Sequence, residues 1–178
     1  LIHDEWAFRA ADVGDAAALT AFFTRNRAHL APWEPTRPDA FFTVDEQHER
    51  LKLARLEHVA GRSYRWHVVD REGQVIAMFA LGRVERGARW SAELGFAVDA
   101  AIQGRGLATA GVAEVTRWAD SIGISRLSAA YLPENIGSSV VLARSGFRVE
   151  GFAKEYAEIH GRWRDHVVCS RLARPPAL

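Results

Sequence analysis

The sequence predicts an α/β (α+β) fold of about seven strands and about four helices. Three observations predict it. Seven apolar or alternating runs are bounded by Gly, Pro or Asp, four stretches repeat their apolar residues at helical spacing, and the two kinds of segment interleave along the chain. With 178 residues, 48% of them hydrophobic, the chain suits one globular domain over residues 1–178 with a full core.

Trp6-Ala7-Phe8 alternates toward a first strand, and Asp12 and Asp15 are helix-start residues ahead of Ala18, Leu19, Phe22 and Phe23 at helical spacing. Pro32, Pro35 and Pro38 recur at every third residue, as in a polyproline ligand, but helical patterning resumes over residues 44–56 and the segment reads as a rigid loop. Residues 64–70 and 74–84, joined by Arg71-Glu72-Gly73, form an antiparallel hairpin, and Gly87 turns the chain into a strand over residues 90–98. From Gly106 a helix carries Ala110, Ala113, Val115, Trp118, Ala119 and Ile122 and stops at Gly123. Residues 127–132 are a strand closed by Pro133. Asn135 caps a helix of about ten residues that ends at Gly146. Residues 147–157 and 166–172 are strands joined through Gly161, and the tail over residues 173–176 is a frayed end. No repeat, linker or low-complexity tract divides the chain.

Composition removes several function classes. The net charge of +1, from 23 basic and 22 acidic residues, provides no global field for nucleic acid or an anionic membrane. Cys169 is the single cysteine, so no intramolecular disulfide forms, and its apolar run His166-Val167-Val168-Cys169 suits a buried strand thiol. Residues 1–5 lack a signal-peptide pattern and no apolar stretch approaches ~18 residues, which leads us to expect a soluble cytoplasmic protein. Seven His residues occur without His-Glu-x-x-His or Cys-x-x-Cys spacing, so no metal site is expected, and Gly137-Ser138-Ser139 lacks the frame of a serine nucleophile elbow.

The informative stretch is Glu93-Leu94-Gly95-Phe96-Ala97-Val98 followed by Gln103-Gly104-Arg105-Gly106-Leu107-Ala108. An apolar strand, a glycine-punctuated turn and a helix start present free backbone N–H groups with the helix dipole behind them, which is a diphosphate seat. A dinucleotide fingerprint is disfavoured because Thr109 stands where its third small residue belongs, and the absence of any Gly-Lys pair disfavours a P-loop. Gln103, Gly106 and Ala108 instead fit Gln-x-x-Gly-x-Ala. A second motif follows in order: Asn135-Ile136-Gly137-Ser138, then Val141, Leu142, Arg144 and Gly146-Phe147.

On these residues the chain resembles the GNAT superfamily of acetyl-CoA-dependent N-acetyltransferases. Pro32-Trp33-Glu34-Pro35, Asn135-x-x-Ser138 and the late Gly161-Arg162-Trp163-Arg164-Asp165-His166 are similar to its RimJ/RimL branch, which acetylates ribosomal-protein N-termini. The resemblance covers residues 8–172 and implies a GNAT fold, a central mixed, mostly antiparallel sheet of about seven strands flanked by about four helices and splayed at the acetyl-CoA site. It implies that Gln103, Gly104, Arg105, Gly106, Leu107, Ala108 and Thr109 hold the pyrophosphate, that the backbone of Phe96, Ala97 and Val98 meets the pantetheine, and that Asn135, Ser138 and Arg144 complete the coenzyme site. The loop at Pro32–Pro35 would border the acceptor.

Acetyl transfer to an amine needs a polarised thioester carbonyl, an unprotonated amine and stabilisation of the departing thiolate. Backbone amides at the end of the strand serve the first need. Glu93 is the candidate base, and an α-amine with an ordinary pKa of about 7.7–8.0 asks little of it. Many relatives place a Tyr seven residues after the Asn as acid for the thiolate, yet Leu142 stands there, so Ser138 is the candidate donor to sulfur and Tyr131 a weaker one. The expected partners are acetyl-CoA and a protein N-terminus, without direct nucleic-acid or membrane contact, in a monomer or homodimer. Two rivals stay open: a small-amine (aminoglycoside or polyamine) acetyltransferase with Glu150, Glu155 and Glu158 along an acidic cleft, and a catalytically silent acyl-CoA-binding sensor.

Overall fold

In chain order the elements are β1 (Trp6–Ala10), α1 (Ala16–Arg25), α2 (Arg27–Leu30), α3 (Val44–Val59), β2 (Tyr64–Asp70), β3 (Val75–Glu85), β4 (Ser91–Val98), α4 (Leu107–Ser121), β5 (Arg126–Tyr131), α5 (Ile136–Arg144), β6 (Arg148–Ile159) and β7 (Arg162–Leu172). The computed structural model describes residues 6–173; the readings on residues 1–5 and on the tail past Ala173 lie outside the described residues.

One seven-stranded sheet runs β1-β2-β3-β4-β5-β7-β6, antiparallel throughout except for the parallel pair β4 and β5. Strand alternation divides the core between its two faces. Phe79 and Leu81 of β3 and Ala92 and Leu94 of β4 pack under Leu107, Val112, Val115 and Ala119 of α4. The opposite face is covered by Leu19, Phe22 and Phe23 of α1 with Phe41 and Leu51. Gly111 lets α4 approach the sheet, since a Cβ there would lie 2.1 Å from Phe79 Cζ.

The first helix is fixed by charge as well as by its apolar face. Asp12 caps a 3-10 turn (Val13–Asp15) through its side chain, and Asp15 returns a bond to the Asp12 amide at 3.0 Å in a capping box. The Asp15 carboxylate also accepts from Arg9 at 2.5 and 2.9 Å and meets Nδ1 of the fully buried His67 at 2.8 Å. Burial pushes this carboxyl up, but the bonds from His67, Arg9 and the Asp12 amide outweigh it and hold it well below the usual carboxylate range.

The seven predicted strands are all present, and Cys169 lies buried in β7, where burial pushes its thiol up to about 11. Two elements differ from the sequence reading. A fifth helix, α2, is a single turn, too short for a period to show. β7 begins at Arg162 rather than 166 because His160 and Gly161, at φ of 49° and 74°, close a two-residue hairpin turn directly onto the Ile159–Arg162 pair. The polar residues Arg162, Arg164 and Asp165 hide that half of the strand from a hydrophobic pattern.

Candidate active site

The site begins where two strands part. β4 and β5 pair only through Ser91↔Arg126, Ala92↔Leu127 and Glu93↔Ser128, and beyond these they separate. The Trp90 carbonyl accepts from the Ser125 amide at 2.9 Å and the Ala92 carbonyl from Ser128 Oγ at 3.3 Å, so both point toward β5. Two-residue alternation then turns the main-chain groups of Leu94, Phe96 and Val98 into the gap, while those of Ala97 face β3. A cavity of about 520 Å³ opens there, bounded by β4, the 103–106 turn, the start of α4, the end of β5 and α5.

At the α4 end the chain builds an anion cradle. Gly104 and Gly106 take left-handed φ of 76° and 80°, conformations that cost other residues, and a Cβ on either would meet nothing within 4 Å. Gly106 is the N-cap and brings no side chain to the first amides of α4, so those donors face open space with the helix dipole behind them. This geometry fits a pyrophosphate. The turn is held from α1 and α2: Asp99 accepts from Arg25 Nε at 2.5 Å and from the Ala101 amide at 3.0 Å. Asn26 Oδ1 accepts from the Ala100 amide at 2.9 Å, and Gln103 Nε2 donates to His29 Nε2 at 2.8 Å. Burial raises the Asp99 carboxyl, yet the donors from Ala101, Asn26 and Arg25 bring it below its ordinary value.

Across the cavity, Asn135 Oδ1 accepts the Ser138 amide at 3.0 Å and so caps α5 itself. Ser138 Oγ is thereby spared that duty, and among the described residues it has no hydrogen-bond partner. Tyr131 lines the same space at the end of β5, where burial and Cys169 push its hydroxyl up. Leu142 is a buried apolar wall.

The fold brings Phe96, Ala97, Val98, Gln103, Gly104, Gly106, Leu107, Ala108, Thr109, Tyr131, Asn135, Ser138 and Arg144 around the cavity. Arg105 and Glu93 are not among its lining residues. Glu93 sits on the sheet face opposite Leu94, paired with Arg83 at 3.1 Å. Four polar or aromatic lining side chains have no chemical step assigned from the sequence, His29, Trp33, Glu34 and His166, although the loop that carries Trp33 and Glu34 is the one expected to border the acceptor. Three lie in stretches whose local pattern reads as loop or strand, and no spacing rule joins residue 34 to residue 166.

A family model described as Acetyltransferase (GNAT) domain matches residues 7–148. The chain belongs to the GNAT acetyltransferase family. This GNAT enzyme is 33% identical over 170 residues to the [ribosomal protein uS5]-alanine N-acetyltransferase of Escherichia coli, spanning 94% of this chain and 83% of that protein. Its fold superposes on the ribosomal-protein-S5-alanine acetyltransferase of Vibrio fischeri with a TM-score of 0.92 at 34% identity, covering 96% and 94% of the two chains. Mycobacterium smegmatis RimJ, solved with a CoA-disulfide, superposes with a TM-score of 0.89 at 31% identity over 94% and 82%. The enzyme is an N-acetyltransferase whose co-substrate is acetyl-CoA. Among the described residues no cluster of three or more His, Cys, Asp or Glu is placed to hold a metal, and no helix is long and apolar enough to cross a membrane.

Proposed function

We propose that this GNAT enzyme acetylates the N-terminal α-amine of a ribosomal protein by direct attack within a complex of both substrates. The observation that carries the reading is the parting of β4 and β5 beside the Gly104–Gly106 cradle in a chain similar to N-terminal alanine acetyltransferases. Bound acetyl-CoA supplies an activated acetyl group. The amides at the start of α4 seat its pyrophosphate, and the main chain of Phe96 and Val98 aligns the pantetheine and polarises the carbonyl. Ser138 Oγ donates to the sulfur, with Tyr131 as a second hydroxyl nearby. An aminoglycoside-type cleft loses its support because none of Glu150, Glu155 and Glu158 lines the cavity, and Glu150 is already bonded by Arg126 and Ser170.

Thiol release from acetyl-CoA is expected with alanine- or serine-starting peptides and not with aminoglycosides or polyamines. Coenzyme binding with no release under any acceptor would return the chain to a sensor role and end the proposal.

Two substitutions divide the chemistry. Ser138→Ala is expected to lower kcat by about tenfold or more, the loss of one hydrogen bond to a developing thiolate, with coenzyme affinity by calorimetry little changed. Any action of Glu93 on the amine would have to pass through water, since it lies outside the cavity and is paired with Arg83. Glu93→Gln is therefore expected to cost well under the ~10²-fold of a direct general base, and unchanged turnover across pH 6 to 9 would remove it from the mechanism.

A further inference from the structure

We infer that the Glu34 carboxylate binds the α-ammonium of the acceptor beside the parted strands and receives its proton. The inference rests on the α-amine reading above.

Glu34 is the single carboxylate among the described residues lining the coenzyme cavity. It also lines a second cavity of about 150 Å³, and Leu30 is the other residue common to both. Phe23, Phe41 and Phe42 give this second cavity an apolar wall, room for a small side chain next to the acceptor nitrogen. The carboxylate therefore stands where a thioester on one side meets an amine arriving from the other. Its backbone is held: the Trp33 amide donates to the Leu30 carbonyl at 2.9 Å, and the Glu34 carbonyl accepts from the His160 amide at 3.1 Å. Pro32 and Pro35 flank it and stiffen the loop.

The side chain is three-quarters buried, and among the described residues its ion partner is Arg37, a long contact at 3.6 Å. A carboxylate so placed is stabilised by any cation that completes its coordination, which a protonated α-amine does. Burial pushes its carboxyl up while Arg37 pulls it down, so it is a stronger proton acceptor than an exposed glutamate. Besides Arg37, the other charged or titratable groups lining the two cavities are Arg27, His29, Tyr131, Arg144, His160 and His166. His166 is the competing base. Its Nδ1 is 3.0 Å from the Arg164 carbonyl and its ring packs 5.1 Å from Tyr156, so the protein already engages it from two sides.

In the step, the ammonium gives one proton to Glu34, and the freed nitrogen lone pair forms the C–N bond to the acetyl carbon. The C–S bond breaks with its electron pair on sulfur, the second nitrogen proton goes to the thiolate, and Glu34 returns its proton to solvent.

The test titrates a short alanine-starting peptide, and the same peptide already N-acetylated, into the enzyme saturated with coenzyme A. Wild type is expected to prefer the free amine. Glu34→Gln should weaken the free-amine peptide by about tenfold or more while sparing the capped peptide and the coenzyme, and Glu34→Asp should retain part of the preference. In kcat/KM, wild type reaches its plateau between the Glu34 and α-amine titrations, whereas Glu34→Gln climbs with the free amine to about pH 8. A retained preference in Glu34→Gln, equal loss of both peptides, or a preference lost instead in His166→Gln overturns the assignment. If wild type binds neither peptide yet binds coenzyme A, the α-amine reading itself fails and takes Glu34 with it.

Discussion

Gly106→Trp is expected to abolish coenzyme binding, leaving no measurable heat when coenzyme A is titrated into the variant. Gly106 sits at the N-cap of α4 with φ of 80°, and a Cβ built on it meets nothing within 4 Å. The open space is the cradle itself, so an indole placed there occupies the volume in front of the first amides of α4 and screens them from a pyrophosphate. Left-handed backbone costs a Cβ-bearing residue a further ~1–2 kcal/mol. A loss beyond ~100-fold, about 3 kcal/mol, is the expected scale. The side chain points away from the core, so far-UV circular dichroism should match wild type. Unchanged affinity would place the phosphates elsewhere.

Asp15→Asn is expected to destabilise the fold by about 3 kcal/mol near pH 7, read as a lower urea midpoint at unchanged m-value. Asp15 accepts from Arg9, the Asp12 amide and His67, joining β1, the first turn of the chain and β2. An amide cannot accept all of these bonds, and the buried His67 ring loses its carboxylate. The loss stays below that of a wholly buried pair because the Arg9 side chain is 42% exposed and water recovers part of its charge. The pH dependence follows from the sign of the shift. A carboxyl held low in the folded state binds fewer protons there than in the unfolded chain, so its stabilisation is fully present above the ordinary aspartate pKa. It is lost as pH falls from about 5 toward the depressed folded value. Wild type should therefore lose stability over that acid range, and Asp15→Asn should lack this component of the loss. Parallel curves for the two proteins would assign the acid sensitivity to other carboxylates.

Much of the fold was legible because local chemistry repeats along it. The helix over Leu107–Ser121 announces itself through Gly106 at its start, Gly123 past its end and apolar residues at helical spacing. Asn135 and Gly146 bracket α5 in the same way. The polar half of β7 and the one-turn α2 were not legible, since pairing partners and neighbours create those elements rather than their own periodicity.

The sequence by itself determined the strand, glycine turn and helix start that form the cradle proposed to seat the coenzyme. Phosphate seating needs contiguous features, a strand, two left-handed glycines and a helix start, and adjacency in the chain makes them adjacent in space. Only the tertiary structure decided which distant side chains share the cavity with that cradle. Glu93 reads as a base from its neighbours, but its place on the sheet sends it to Arg83 and away from the cavity. Glu34 and His166, 132 positions apart by their numbers, share that cavity because the loop after α2 and strand β7 close over the gap between β4 and β5. That closure is set by packing of distant apolar faces, and a side chain's local pattern carries no record of it.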